Sequence, residues 1–250
     1  MHYKTLIINL DSCADRLLHI KTQCDRLGLS FERVPAVLGA NLSITEKSKV
    51  YDLKSNLKKY DKPLNDGEIG CYLSHINCWK KIIEDDLDFA LILEDDAILT
   101  DDLIQCIEKL KSTSNDWDYI KLSQGSKRKK DYDTLALTDS LTLARCRKLP
   151  STATGQLISK QGAIKLLNSA LPISRPVDTD IQYWFEKQLR CFVVRPVPIL
   201  NGDFGSEINA VADRRQVERR PIRRLIQKIS YEIRLLYHVK NMPNYPKKFL

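Results

Sequence analysis

Phe89-Ala90-Leu91-Ile92-Leu93-Glu94-Asp95-Asp96 is the stretch that decides the fold. Five consecutive apolar residues are what a central strand covered on both faces of a sheet requires. The run then stops at three consecutive carboxylates, which repel one another and have low strand propensity. Placed straight after a buried strand, they call for a compensating cation, cationic side chains or ample solvent. In open α/β sheets ligands bind at the carboxyl ends of strands. An all-oxygen cluster there suits Mg²⁺ or Mn²⁺, which bridge one or two carboxylates to a substrate diphosphate. The competing reading is a solvated acidic turn that caps the helix behind it.

Working outward, Tyr3 to Leu10 reads as a buried strand, and a helix capped by Asp11 or Ser12 runs to Leu27. Leu17, Ile20, Cys24 and Leu27 form its apolar stripe and Gly28 its stop. Phe31 to Val37 is a second strand, whereas residues 38–64 are polar, Lys-rich and read as a flap. A helix is expected over Asp66 to Glu84, with Ile69, Tyr72, Leu73, Ile76, Trp79 and Ile83 on one face, and another over Asp101 to Leu110. Tyr119 to Leu122 is strand-like, Lys127 to Lys130 a basic loop, and residues 134–149 a hairpin around Thr138-Asp139-Ser140. A strand ending at Leu157-Ile158, helices over Lys160 to Leu171 and Asp178 to Leu189, and a strand over Cys191 to Val194 follow. Strands alternating with helices predict an α/β layered domain, a mostly parallel sheet flanked by helices.

The 250 residues, 43% hydrophobic and 29% charged, suffice for one large domain or two small ones and exclude disordered and collagen-like classes. No apolar run approaches the ~18–20 residues of a membrane span, and the N-terminal residues lack the pattern of a signal peptide, so a cytoplasmic protein is expected. Seven irregularly spaced cysteines fit small buried hydrophobes better than a disulfide framework. Residues 211–250 hold 11 of the 40 Lys/Arg and 3 of the 32 Asp/Glu, so the whole net charge of +8 belongs to a tail and the body, 1–210, is neutral. A nucleic-acid-binding protein is disfavoured, because the body is neutral, no binding motif is present and aromatics do not alternate with the basic residues.

In the tail, Pro221 to Val239 places Ile222, Leu225, Ile226, Ile229, Ile233, Leu236 and Tyr237 along one helical face with basic residues mostly elsewhere. A basic amphipathic helix fits the surface of an anionic bilayer, here the inner membrane, at ~1 kcal/mol per basic residue. Docking on the core or on a second subunit are the alternatives. Cys71, His75 and Cys78 invite a zinc reading, but structural zinc takes four ligands at tighter paired spacing. Both cysteines are therefore read as core. Ser74 and His75 either face a ligand or satisfy each other's surroundings internally.

Together, Asn9-Leu10-Asp11 with Asp15-Arg16, Gly70-Cys71 with Ser74-His75 and Trp79, and Leu93-Glu94-Asp95-Asp96 resemble glycosyltransferase family 25. That family includes lipooligosaccharide galactosyl- and glucosyltransferases and collagen galactosyltransferases. The resemblance continues through Gly155-Gln156-Leu157-Ile158-Ser159, Pro176-Val177-Asp178 and Gly205-Ser206-Glu207-Ile208, and so covers residues 3 to about 240. Gln156 stands where the family often has Tyr, so selectivity does not carry over from any one member.

The resemblance implies a GT-A-like nucleotide-sugar-binding fold over residues 1–210. It also implies inverting transfer of a hexose, galactose before glucose, from a UDP-sugar to a lipooligosaccharide or lipopolysaccharide acceptor with Mn²⁺ or Mg²⁺. Asp96 is the first metal ligand expected, with Glu94 or Asp95 beside it; in an extended segment Glu94 and Asp96 share a side and Asp95 points away. Inversion needs a general base, and Asp178, then Asp180, are the candidates, although Asp178 is equally well placed to cap a helix. Leu10, Asp11 and Arg16 are expected at the nucleotide, Pro35 or Ala36 beside the uracil, and His75 near the diphosphate or sugar. Arg16 on a plain surface pair is the alternative, and Asp203, Ser206 and Glu207 form either a closing loop or a plain one. A sugar-phosphate nucleotidyltransferase would share fold and metal, but wants a Gly-rich basic loop where this chain has Asn9-Leu10-Asp11-Ser12.

Overall fold

The computed structural model describes residues 2–113, 115–202 and 221–249. Its main sheet has eight strands in the order β2 (Phe31–Pro35), β1 (Tyr3–Asn9), β3 (Phe89–Glu94), β8 (Gly155–Ser159), β5 (Tyr119–Lys121), β9 (Cys191–Arg195), β7 (Thr142–Arg145) and β6 (Asp133–Ala136). β1 pairs in parallel with β2 and β3, and β5 with β9, while β8 and β7 run against both their neighbours. Six of the eight strands therefore share one direction. This is the expected α/β class, a mostly parallel sheet flanked by helices.

Strand alternation divides the core in two. Ile7, Leu91, Leu93, Ile120 and Phe192 face one side, where α1 (Ala14–Arg26) and α5 (Asp102–Lys111) pack with Trp117. Leu6, Ile8, Ala90, Ile92 and Val193 face the other, covered by α4 (Asp66–Glu84) and α6 (Lys160–Ala170). The continuous apolar run of β3 is buried by both layers.

Several local expectations changed. Residues 38–64 hold a 3₁₀ turn at Gly39–Asn41 and two short helices, α2 (Ile44–Val50) and α3 (Leu53–Lys59). Ser43 with Glu46 forms a capping box on α2, and Asp52 caps α3, signals that the Lys-rich composition obscures. The helix expected over 178–189 is α7 (Val177–Gln182), followed by a 3₁₀ turn at Trp184–Glu186 that buries both Trp184 and Phe185. The residue preceding α1 is Cys13, without a side-chain cap, in place of Asp11 or Ser12. β4 (Ala97–Leu99) and β10 (Ile199–Asn201) form a separate antiparallel ribbon, each too short to show a periodicity.

The last helix, α8 (Pro221–His238), docks through Tyr231 and Leu235, the two residues of the helix that are buried. Tyr231 Oη donates to the Gln182 carbonyl at 3.1 Å and Arg234 pairs with Glu186 at 2.6 Å. All seven apolar residues singled out in the tail are exposed, on the opposite side of the helix. The boundary at 210/211 lies outside the described residues.

A close approach sets the position of α4. A Cβ on Gly70 would lie 2.3 Å from the Val37 carbonyl oxygen and 2.7 Å from the Gly39 nitrogen, and one on Gly39 would lie 1.8 Å from the Asp66 carbonyl oxygen. Helix propensity alone favours alanine over glycine by ~1 kcal/mol, whereas the backbone clash costs ~1–3 kcal/mol. Gly70→Ala is expected to lower the urea unfolding midpoint; a midpoint that rises would show that the loop at 37–39 yields freely.

Candidate active site

β3 ends at Glu94, and the chain turns immediately, so the three carboxylates diverge. Glu94 Oε1 stands 3.3 Å from His75 Nε2 and accepts from Cys71 Sγ at 3.7 Å. Burial works against its ionisation, but His75 and Lys121 hold its pKa below the usual range. Asp95 points the other way, accepting from Asn9 Nδ2 at 2.7 Å and pairing with Arg16. Burial still raises it, with Asn9 and Arg16 opposing. Asp96 has the least support: Arg16 is 3.9 Å from its Oδ2, and its buried Oδ1 has no hydrogen-bond partner among the described residues. Burial and the charge of Glu94 push Asp96 up to about 7. An orphaned carboxylate oxygen in a cluster short of positive charge fits a hard divalent cation.

A cleft opens beside this cluster at the carboxyl ends of β1 and β3. Of the residues expected at the nucleotide, Leu10, Arg16 and Ala36 line it together with Asp95 and Asp96. Two expected residues stand elsewhere. Asp11 is exposed and pairs with Arg33 on β2, and Pro35 is exposed outside the cleft lining because successive strand residues alternate sides. Arg16 is no free surface residue, since Asp95 holds its guanidinium.

Val37, Leu38 and Cys71 also line the cleft and were not foreseen there, and Ser74 lines it as one of its two readings allowed. The Ser74 hydroxyl is satisfied internally, accepting from the Val37 N–H and donating to the Gly70 carbonyl, both at 2.8 Å. Cys71 packs against the core as expected and also faces Glu94 in the cleft, which its core reading did not include; Cys78 is fully buried in the core as expected.

Behind Glu94 runs a buried chain of polar groups. Tyr119 Oη donates to Gln156 Oε1 at 2.6 Å, the Gln156 amide is 3.1 Å from His75 Nδ1, and His75 Nε2 meets Glu94. His75 is completely buried, so it reaches the cleft only through Glu94. Lys121, buried on β5, donates to the Thr152 carbonyl and lies 3.5 Å from Tyr119 Oη. Burial lowers its pKa to about 8, against the charges of Asp178 and Glu94. Neither Lys121 nor Tyr119 was foreseen. The available signal was a lysine between Ile120 and Leu122 in a strand too short and too buried to turn it outward.

Asp178 is the second residue of α7. Its Oδ1 accepts from the Thr179 N–H at 2.7 Å and its Oδ2 from the Thr152 N–H at 3.2 Å. It does not line the cleft, although its charge is felt at Lys121 and Cys71. Asp180 lies instead in a buried ionic cluster with Arg175 at 3.1 Å, Lys187 at 2.7 Å and Tyr72 Oη at 2.7 Å, and does not line the cleft. Asp203, Ser206 and Glu207 lie outside the described residues.

The pattern of glycosyltransferase family 25 (LPS biosynthesis protein) matches residues 2–181. Procollagen galactosyltransferase 1-B of Xenopus laevis is 28% identical over 235 residues, covering 84% of this chain and 38% of that protein. A glycosyltransferase 25 family member of Drosophila melanogaster is 32% identical over 192 residues, covering 74% and 31%. The chain thus spans about a third of the length of these curated relatives. Among solved structures, a glycosyltransferase involved in glycosylation of the PBCV-1 major capsid is similar at 9% identity and a TM-score of 0.46, covering 85% of this chain and all of that one. S. aureus TarS 1-349 is similar at 10% identity and a TM-score of 0.48, covering 81% of this chain and 60% of that one.

Removing one partner from a buried ionic cluster costs ~3–5 kcal/mol because the remaining charges are left uncompensated. Asp180→Asn is therefore expected to depress the thermal midpoint by several degrees; a variant that melts like the parent would place Asp180 outside the structural cluster.

Proposed function

We propose that this chain, a glycosyltransferase of family 25, moves a hexose from a UDP-sugar to a saccharide acceptor of the lipooligosaccharide or lipopolysaccharide type, with inversion at the anomeric carbon. One observation carries the reading: the cleft at the carboxyl ends of β1 and β3 is floored by three carboxylates, and Asp96 holds a buried oxygen without a hydrogen-bond partner among the described residues. Galactose is the favoured sugar, ahead of glucose, and the Xenopus relatives are named for galactosyl transfer. The family's description as an LPS biosynthesis protein supports the acceptor class.

Asp96, with Glu94, would hold Mn²⁺ or Mg²⁺, whose charge stabilises the leaving diphosphate. Leu10, Ala36 and Val37 form an apolar wall suited to the uracil, and Arg16, steadied by Asp95, lies beside Asp96 where phosphate charge is expected. The acceptor oxygen bonds to the anomeric carbon from the face opposite UDP, the bond from that carbon to the β-phosphate oxygen breaks, and UDP departs with the electron pair. Asp178 takes the proton of the attacking hydroxyl. Its two backbone hydrogen bonds fix the carboxylate's orientation, so helix anchoring and proton acceptance are compatible roles. The nucleotidyltransferase alternative lacks its phosphate loop: Asn9 is committed to Asp95, and Asp11 to Arg33.

Attachment to an anionic membrane surface through residues 211–250 belongs to the same proposal. Ile222, Ile226, Ile229 and Ile233 form the middle of the exposed face of α8, each more than half exposed. Arg223 and Lys228 flank it, giving the apolar and cationic combination that an anionic interface binds. No helix among the described residues is long and apolar enough to cross a membrane.

UDP release with UDP-galactose and a truncated lipooligosaccharide acceptor tests the chemistry. Asp96→Asn and chelation of divalent ions should each abolish nearly all release, and Asp178→Asn should slow turnover by ~10²–10⁴-fold with UDP affinity retained. Chelator-insensitive turnover, or an Asp178→Asn enzyme at the parental rate, would contradict these assignments. For the membrane, Ile226→Glu with Ile229→Glu should remove co-sedimentation with anionic vesicles without moving the thermal midpoint. Undiminished pelleting would place attachment elsewhere.

A further inference from the structure

We propose that Cys71, His75 and Glu94 form a binding site for a thiophilic, four-coordinate divalent cation of the zinc class, which shares Glu94 with the oxygen site of Asp96 but differs from it in ligand chemistry. The three ligand atoms lie within 4.8 Å of one another. Zinc bonds of ~2.3 Å to sulfur, ~2.0–2.1 Å to nitrogen and ~2.0–2.2 Å to oxygen, at a tetrahedral angle, separate sulfur from oxygen by about 3.6 Å and nitrogen from oxygen by about 3.4 Å. In the fold Cys71 Sγ is 3.7 Å and His75 Nε2 3.3 Å from Glu94 Oε1. Both pairs that include Glu94 already stand near the separations that the ion imposes, and Cys71 and His75 lie within 4.8 Å of each other. Cys71 and His75 are one turn apart on α4, which holds both toward the end of β3.

The surroundings support ligation. The Gln156 amide sits 3.1 Å from His75 Nδ1. A half-turn of that amide lets Nδ1–H donate to Gln156 Oε1 and leaves the Nε2 lone pair for the metal, the outer support that metal-bound imidazoles use. Cys71 and Glu94 line the cleft, so the fourth position opens toward water. The binding step balances simply: the cation displaces the thiol proton of Cys71 to solvent, and His75 moves its proton from Nε2 to Nδ1. Thiolate, carboxylate and dication then sum to zero charge, which suits a half-buried position. Thiolate and imidazole favour zinc over Mn²⁺ or Mg²⁺. On the transferase reading, and only on that reading, occupation of this site withdraws Glu94 from the donor's metal, so zinc acts as an inhibitor.

Cobalt(II), used in place of zinc, reports a thiolate ligand by charge-transfer absorption in the near ultraviolet. Titration of the full chain with Co²⁺ should develop this band to saturation at one equivalent, and added Zn²⁺ should bleach it. The band should be lost in Cys71→Ser and weakened in His75→Gln, and it should persist in Asp96→Asn and Cys13→Ser. Zinc calorimetry in two buffers should show one proton released by the parent and about one fewer by Cys71→Ser, with near-ultraviolet circular dichroism confirming that each variant is folded. Absence of the band, its persistence in folded Cys71→Ser, or its loss in Cys13→Ser would overturn the proposal. Neither readout measures turnover, so failure of the transferase reading would leave both results standing.

Discussion

Three adjacent carboxylates at the end of a buried strand cannot all remain ionised without help, and much of the surrounding structure supplies that help. β1 ends in Asn9 and the first turn of α1 carries Arg16, and both are committed to Asp95. α4 brings His75 and Cys71 to Glu94. Among the described residues Asp96 receives its own backbone N–H and a guanidinium at 3.9 Å. The distribution of support around the cluster thus leaves Asp96 the least supported of the three acids among the described residues. Electrostatics orders the site more sharply than residue type alone.

α4 is the element through which packing reaches this chemistry. Asn65 and Glu68 form its capping box, Gly70 presses against the loop from β2, and the following turns carry Cys71, Ser74 and His75 past the end of β3. The apolar face of the same helix, Ile69, Tyr72, Ile76 and Trp79, is buried in the core. Stability and site geometry are therefore coupled along one helix: an added methyl group at Gly70 moves a wall of the cleft as well as a core contact. The polar chain from Tyr119 through Gln156 and His75 extends this coupling across β8 to β5.

Much of this was legible in the sequence. The run from Phe89 to Asp96 announced a central strand and its acidic end, and the 3.6-residue stripes marked α1, α4 and α5. The family resemblance pointed to Arg16, which lines the cleft. Other features depend on chain segments meeting in space. Asp178 and Asp180 look alike in a linear reading, yet one shares the field of Glu94 and the other closes a buried ionic cluster. Lys121 looked like an ordinary strand residue, because nothing local shows that Tyr119, Thr152 and Asp178 converge on it. The apolar stripe of α8 was recognised, but amphipathicity does not tell which side docks: Tyr231 and Leu235, on the opposite side, hold the helix to the body.

That docking has a geometric consequence. Tyr231 is bonded to Gln182 at the end of α7, and Arg234 to Glu186 in the next turn, so α8 is braced against the segment that begins at Asp178. A helix with its side chains is ~10–12 Å across. Any surface that receives the outer side of α8 is therefore held at a set stand-off from the Asp178 carboxylate, like a plane against a gauge. On the proposed function, a saccharide anchored in that plane would present only the sugar whose distance along the chain matches the stand-off, and length selection would be built into the seating of one helix, without a contact to any sugar in between.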